Sequence, residues 1–246
     1  YVQGEFGDEA AFARLSDKLK HATLARHSVH NCMYYLATPP DAFEPIILNL
    51  KSARLVSRTA ESDGWSRIII EKPFGRDTTS AWRLNGVLHG VFSESQVFRI
   101  DHYLGKETVQ NILVFRLGNS IFEPLWNRRY VDHVQISVAE SIGIESRAGY
   151  FDSAGIIRDM IQSHIMQVFA LIAMEPPASF EAGAIRDEKA KVLRSMHPFE
   201  SQELASRVVR GQYVRGSVGG ETVNGYLEEP GVPAGPGYWT GRREGG

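Results

Sequence analysis

The alternation of helical and strand patterns along the first 100 residues is the feature that most constrains the fold. The patterns follow the order helix, strand, helix, strand, helix, strand, over residues 10–20, 29–37, 43–50, 67–70, 78–91 and 96–100. This alternation is typical of a doubly wound parallel sheet. We therefore predict the latter part of an α/β, Rossmann-like domain over 1–100, with a buried strand at 29–37 and Asp77 capping the third helix.

The pattern changes after residue 100, where we predict a domain boundary. A second domain over 101–246 is expected to contain helices over 106–116, 154–174 and 187–196, and an alternating strand over 131–138. Asp152 or Ser153 is the predicted cap of the long helix. Glycine and proline increase from Gly211, and from Gly231 we expect disorder or a truncation scar. Because the chain begins with Tyr1 instead of Met, we expect a fragment truncated at both ends.

The composition of the chain limits the kinds of molecule that it is expected to bind. The net charge of the 246 residues is −2, with Lys and Arg scattered, which argues against nucleic acid and membrane surfaces. The longest apolar run, 168–174, is too short to span a bilayer. Cys32 is the single cysteine and fits a reducing compartment, so we predict a cytoplasmic protein. The histidines show no ligand spacing with Cys or carboxylates, so no metal site is predicted.

Residues 96–106, QVFRIDHYLGK, concentrate groups that can do chemistry. A strand pattern ends there and a helix follows, so Asp101, His102, Tyr103 and Lys106 lie on a strand-to-helix turn. Crevices at the carboxyl ends of strands bind ligands in α/β folds, and a helix N-terminus favours anions. The turn is a candidate anion site, although the stretch taken alone fits a polar loop with a capping Asp about equally well.

Three blocks carry a resemblance to one enzyme family. RIDHYLGKETVQN at 99–111, EKPFGRD at 71–77 and GYFDSAGIIRDMIQSH at 149–164 resemble, in the same order, blocks of glucose-6-phosphate dehydrogenase. The similarity runs from Tyr1 to about Thr240, and the final GRREGG matches nothing that we identify.

The resemblance implies two incomplete domains. The first is a Rossmann-like domain that lacks its first βαβ unit and its glycine-rich fingerprint, and the second is an α+β domain with a mainly antiparallel sheet. The implied activity is oxidation of glucose 6-phosphate to 6-phosphogluconolactone with NADP+, the first step of the oxidative pentose phosphate pathway. NAD stays possible, because the segment that reads the cofactor 2′-phosphate lies upstream. Family members are commonly homodimers or homotetramers.

His164 is the candidate general base, because imidazole can accept a sugar hydroxyl proton near neutral pH. Asp159 lies five positions earlier, about 140° around an α-helix, so the two side chains are not expected to face each other. Asp101 is the easier orienting carboxylate, and the resemblance assigns it that role. Ser163 stands where many relatives have Asn.

The resemblance also implies a substrate shell and cofactor contacts. The implied substrate ligands are Lys72, His102, Tyr103, Lys106, Glu140 and Asp159. Tyr35 and Lys72 are the implied cofactor contacts, and Pro73 fixes Lys72 at a strand end and is able to adopt the cis form. The sequence after Glu140, ESIG, departs from the commoner EPFG pattern.

Two other functions stay open. A related sugar oxidoreductase would share the EKP element and the fold but would not need HYLGK for a substrate without phosphate. A non-catalytic truncated copy would be consistent with the missing fingerprint, because cofactor phosphates would lack a prepared helix N-terminus.

Overall fold

We analysed a computed structural model of the chain, which describes residues 1–25, 30–57 and 64–232. The chain divides into two compact units, Tyr1–His102 and Tyr103–Gly246. Val29 of the predicted first strand and the GRREGG tail lie outside the described residues.

The first unit contains a parallel sheet. Its three strands are adjacent in chain order: β1 (Cys32–Leu36), β2 (Ser66–Ile70) and β3 (Val97–Arg99). Leu36 pairs with Ile70, and Ile70 pairs with Arg99. The carboxyl ends of the three strands therefore form one row, which is the edge where α/β folds bind ligands.

Helices cover one face of this sheet. They are α1 (Glu9–Ala25), α2 (Phe43–Ser52) and α3 (Thr78–His89). In α2, Phe43, Ile46, Ile47 and Leu50 recur at helical spacing and are all buried, as an amphipathic core helix requires. The predicted cap of α3 is confirmed, because the carboxylate of Asp77 accepts a hydrogen bond from the backbone N–H of Ser80 at 2.8 Å.

The prediction of a fully buried first strand is wrong. Leu36 is 3% exposed, but Met33 and Tyr35 are 52% and 56% exposed. Successive side chains of a strand point to opposite faces, and the core residues Ile68 and Ile70 share the face of Leu36. Among the described residues, the hydrophobic core of the first unit lies on that face of the sheet alone, so side chains of β1 alternate between more and less buried positions.

The second unit is mainly helical in its described part. Its helices are α4 (Glu107–Leu117), α5 (Ala148–Ile156), a π-helix (Ile157–Ile165), α6 (Met166–Ala173), α7 (Ala182–Ser195) and α8 (Ser201–Arg207). Val109 of α4 packs with Val168, Leu171 and Met174. The buried guanidinium of Arg116 donates to the carbonyl of Leu171 at 2.8 Å, which links α4 to α6.

The predicted single helix over 154–174 is wrong in its start and its type. Helical structure begins at Ala148, so positions 152 and 153 lie within α5 and do not cap it. Gly155 leaves helical geometry with φ 72° and ψ 163°, a conformation that glycine tolerates. After Ile156, the nine residues Ile157–Ile165 form a π-helix, which is a rare form that often occurs at functional sites.

The predicted strand over 131–138 is also wrong, because these residues have no regular structure. An alternating pattern would give a strand one apolar face. A strand also needs a neighbouring strand to satisfy its backbone hydrogen bonds. No described strand pairs with this segment. The antiparallel pair in the second unit is instead β4 (Gly216–Val218) with β5 (Glu221–Val223). A parallel sheet followed by a helical unit with an antiparallel pair confirms the predicted fold class.

One helical stretch, Ala154–Ala173, is long and apolar enough to cross a membrane by length and composition alone. This is weak evidence for a membrane span, because core helices pass the same test. The stretch also carries Asp159 and His164.

Candidate active site

In the second unit, Tyr103 connects two of the predicted site residues. Its ring stacks on the imidazole of His164, with 4.2 Å between ring centroids and 15° between planes. The ammonium of Lys106 lies 3.8 Å from the centroid of the same ring. Tyr103 and His164 are 5% and 0% exposed, whereas Lys106 is exposed. A buried imidazole and an accessible cation are therefore held by one aromatic ring.

The turn before α4 gives Lys106 its position. Lys106 is the N-cap residue of α4, and its backbone N–H donates to the carbonyl of Tyr103 at 3.1 Å. The amide of Gln110 donates to the carbonyl of Leu104 at 3.1 Å, which fixes the turn against the helix. The free N–H groups of a first helical turn attract anions, and an ammonium at this position adds a point charge.

Asp159 and His164 both lie in the π-helix, and both are buried. A π-helix has i→i+5 hydrogen bonds, and therefore more residues per turn than an α-helix. The expectation that these side chains point about 140° apart assumed an α-helix, and that premise is wrong for this segment. The phenol of Tyr150 donates to Asp159 Oδ1 at 3.1 Å. Burial, and then the Asp159 charge, raise the pKa of Tyr150 to about 12.

In the first unit, the strand ends bring together the predicted cofactor residues. The phenol of Tyr35 on β1 donates to Glu71 Oε1 at 2.6 Å, and this hydrogen bond raises the pKa of Tyr35. Lys72 follows Glu71 and is joined to Pro73 by a cis peptide bond, as the sequence allowed. Tyr35 and Lys72 thus lie on neighbouring segments at the carboxyl edge of the sheet, a location that fits a dinucleotide.

Asp101 and His102 follow β3 and directly precede Tyr103 in the chain. Asp101 is half-buried and His102 is exposed. Glu140 is exposed within the segment that lacks regular structure, and it makes no hydrogen bond or ion pair to a described residue. The structure therefore does not join Glu140 to the other predicted ligands of the second unit.

Two residues of the site were missed by sequence reasoning. Tyr150 lies in the quoted block 149–164 and Glu71 opens the block 71–77, but no role was assigned to either. The sequence signal for both residues is their position within those blocks. Residue type alone does not distinguish a tyrosine or a glutamate of a functional site from one on an ordinary surface.

A cavity of about 550 Å³ also lies in the second unit. It is lined by both polar and apolar residues, and none of them is a predicted site residue: Thr108, Asn111, Ile112, Phe115, Trp126, Val131, His133, Val134 and Ile172. The candidate site is therefore not this cavity.

Comparison with known proteins identifies the class and then the family. Residues 1–111 match the family described as glucose-6-phosphate dehydrogenase, NAD binding domain. The first unit thus belongs to a class of dinucleotide-binding oxidoreductases. Residues 113–239 match glucose-6-phosphate dehydrogenase, C-terminal domain. The chain belongs to the glucose-6-phosphate dehydrogenase family.

Individual relatives agree with this assignment. The chain is 48% identical to glucose-6-phosphate 1-dehydrogenase of Aggregatibacter actinomycetemcomitans over 92% of its own length and 45% of that protein. It is 48% identical to the Zymomonas mobilis enzyme over 95% of its length and 46% of that protein. A solved glucose-6-phosphate dehydrogenase in complex with its substrate glucose-6-phosphate superposes with a TM-score of 0.80 at 38% identity, covering 95% of this chain and 46% of that one. The chain thus spans less than half the length of these relatives.

Proposed function

We propose that this chain carries part of an enzyme that oxidises glucose 6-phosphate to 6-phosphogluconolactone. The observation that carries the proposal is the contact of Tyr103 with both His164 and Lys106. Oxidation of a phosphorylated sugar requires a base at the hydroxyl that is oxidised and a cation at the phosphate. A buried imidazole and an ammonium at a helix N-terminus are groups of these two kinds.

His164 is proposed to take the proton of the sugar C1 hydroxyl while the C1 hydrogen leaves as hydride. NADP, or alternatively NAD, supplies the hydride acceptor when bound. Asp101 is proposed to orient the imidazole and to stabilise its protonated form, as in other His–Asp pairs. The family resemblance supports this pairing, and Asp101 is well placed in the chain at the end of β3.

The remaining polar residues are proposed to bind the substrate and the cofactor. Lys106, Tyr103 and His102 would hold the phosphate, because ammonium, phenol and imidazole donate hydrogen bonds to its oxygens. Asp159, fixed by Tyr150, would accept from sugar hydroxyls. Glu140 has the same proposed role, with support from the family resemblance alone.

At the edge of the first unit, Lys72 and Tyr35 are the proposed cofactor contacts, and Lys72 also reaches substrate. The fit rests on the Tyr35–Glu71 hydrogen bond beside Lys72. We further propose a domain boundary near residue 100. The two compact units, which divide after His102, support it.

In the complete protein we propose a cytoplasmic homodimer or homotetramer without nucleic-acid, membrane or metal partners. The family resemblance supports the oligomer, and the net charge of −2 gives no attraction for polyanions.

Reduction of NADP+ by the protein at its full natural length tests the proposal. Glucose and glucose 6-phosphate are compared at equal concentration, with NAD+ run beside NADP+. The proposal expects turnover of glucose 6-phosphate with a large preference over glucose. Equal efficiency on both sugars would favour a sugar oxidoreductase without a phosphate site, and no turnover of either would favour a non-catalytic protein.

A further inference from the structure

The two loops that follow β2 and β3 leave the sheet side by side. Ile70 ends β2 and pairs with Arg99, which ends β3. The ladder continues for one more bond, from the backbone N–H of Ile100 to the carbonyl of Ile70 at 3.1 Å. The loop after Ile70 contains Lys72, and the segment after Arg99 contains Asp101.

The side chain of Arg99 contacts the first of these loops. Its guanidinium carbon lies 4.9 Å from the ring centroid of Phe74, two positions after Lys72. Phe74 is half-buried and packs against the hydrophobic core of the first unit. The ring is thus in contact with the core and with a cation, and a cation over an aromatic face is favourable.

The guanidinium is itself held by two acceptor side chains. Nη1 of Arg99 donates to Glu94 Oε1 at 2.8 Å, and Nη2 donates to Asn85 Oδ1 at 2.7 Å and to Glu94 Oε2 at 3.3 Å. This bidentate fork fixes the plane of the guanidinium, which a lysine ammonium could not do.

His89 closes the network behind Glu94. Its Nε2 lies 2.7 Å from Glu94 Oε2, and its Nδ1 lies 3.4 Å from the amide nitrogen of Asn85. Asn85 and His89 belong to α3, whereas Glu94 precedes β3. The ring of four polar side chains therefore anchors Arg99 to the helix that packs on the sheet.

We propose that Arg99 is a positioning residue that holds the Lys72 loop, through Phe74, in fixed relation to the end of β3 that carries Asp101 and His102. The inference rests on the proposed function for the roles of Lys72, Asp101 and His102. Its physical basis is that displacements on the order of 1 Å at reacting groups cost up to about 100-fold in rate, so two loops with site residues need a common support.

The first test compares Arg99→Ala with Arg67→Ala in the protein at its full natural length. Arg67 is a matched control, because it also lies on the sheet and its guanidinium is 4.4 Å from the ring centroid of Trp65, but it is near the start of β2. We expect kcat/KM for glucose 6-phosphate to fall about 10-fold or more in Arg99→Ala, and to stay within about twofold in Arg67→Ala. Equal effects in both variants would overturn the proposal.

A double-mutant cycle tests whether Arg99 acts through Phe74. Phe74→Leu keeps apolar volume against the core and removes the ring face. If the proposal holds, Arg99→Ala lowers kcat/KM much less in the Phe74→Leu background than in the parent, because the contact is already lost. Additive losses would contradict action through Phe74. Arg99→Lys, which keeps the charge without the fork, replaces Arg99→Ala in the cycle if the alanine variant does not fold.

Amide hydrogen exchange supplies a measurement that does not depend on activity. In Arg99→Ala, or in Arg99→Lys in its place, peptides covering 71–76 and 99–102 should both exchange faster, and in Arg67→Ala neither should change. Unchanged exchange at 71–76 overturns the positioning role whatever the activity. If the parent does not oxidise glucose 6-phosphate but exchange at both segments rises together, the proposed function fails and the structural coupling stands.

Discussion

The ring of Tyr103 stacks on the imidazole of His164, with 4.2 Å between ring centroids and 15° between ring planes, and both residues are almost completely buried. The stack limits rotation of the imidazole. Lys106 contacts the same tyrosine ring, so the predicted base and the predicted phosphate ligand share one rigid neighbour.

This relationship predicts different effects for two substitutions of Tyr103. Tyr103→Phe keeps the stack and removes the phenol, so KM for glucose 6-phosphate should rise about 5-fold, the value of one lost hydrogen bond, with kcat little changed. Tyr103→Leu also removes the stack, so kcat should fall about 10-fold or more. Steady-state kinetics of both variants separate the roles, and identical kinetics in Phe and Leu variants would refute a role for the ring.

Lys106 should discriminate phosphorylated from free sugar. A charge-assisted hydrogen bond contributes about 1.5–3 kcal/mol, so Lys106→Met should raise KM for glucose 6-phosphate about 10- to 100-fold. Its effect on kcat/KM for glucose should be small. Lys191→Met, which removes the ion pair of the exposed Lys191 with Glu188 on α7, is the matched control. A similar loss on both sugars would count against a phosphate contact.

Tyr150→Phe should weaken substrate binding through Asp159. The substitution removes the 3.1 Å hydrogen bond that positions the carboxylate while keeping the ring. We expect KM for glucose 6-phosphate to rise about 3- to 10-fold, in line with about 1 kcal/mol for such a bond. Tyr130→Phe, at an exposed tyrosine of the same unit, should leave KM unchanged.

Glu94→Gln should reduce stability in a pH-dependent way. Hydrogen bonds from Arg99 and then His89 hold the pKa of Glu94 below its ordinary value, although burial opposes them. A lowered folded-state pKa contributes stability above the unfolded-state pKa, and this contribution is lost as pH falls through the folded-state value. Because the pair is largely solvated, the loss at neutral pH should be about 0.5–1 kcal/mol.

Denaturant unfolding at neutral and at strongly acid pH measures this difference. The difference in the free energy of unfolding between parent and variant should disappear in acid, where the parent carboxyl is protonated and so uncharged like the variant amide. An equal difference in the free energy of unfolding at both pH values would show that the charge of Glu94 does not contribute to stability.

The sequence predicted the parts of the fold that local periodicity determines. The three parallel strands and the cap at Asp77 have patterns that need no distant partner to be recognised. The segment 131–138 has an equally clear alternation but forms no strand, because pairing depends on a neighbour that an isolated pattern does not contain. Exposure of Tyr35 was missed for a related reason, since burial of a strand depends on what covers each face.

The sequence supplied candidate site residues but not the geometry in which they are held. The resemblance supplied His164, Lys106 and Tyr103, but the stack of Tyr103 on His164 depends on contact between the turn before α4 and the π-helix. The π-helix has no sequence signal in the apolar spacing, so the assumption of α-helical geometry between Asp159 and His164 was wrong. The contacts of Arg99 with Asn85 and of Tyr150 with Asp159 join side chains that only the folded chain brings together.

Turnover by His164→Ala in the protein at its full natural length tests the central claim most directly. General-base catalysis contributes typically 10²- to 10⁴-fold, so kcat for glucose 6-phosphate should fall by about 10³-fold while NADP+ binding and the unfolding transition persist. His133→Ala, at an exposed histidine of the same unit, should retain parental turnover. A kcat near the parental value in His164→Ala would contradict the assignment of the base and, with it, the account of the site.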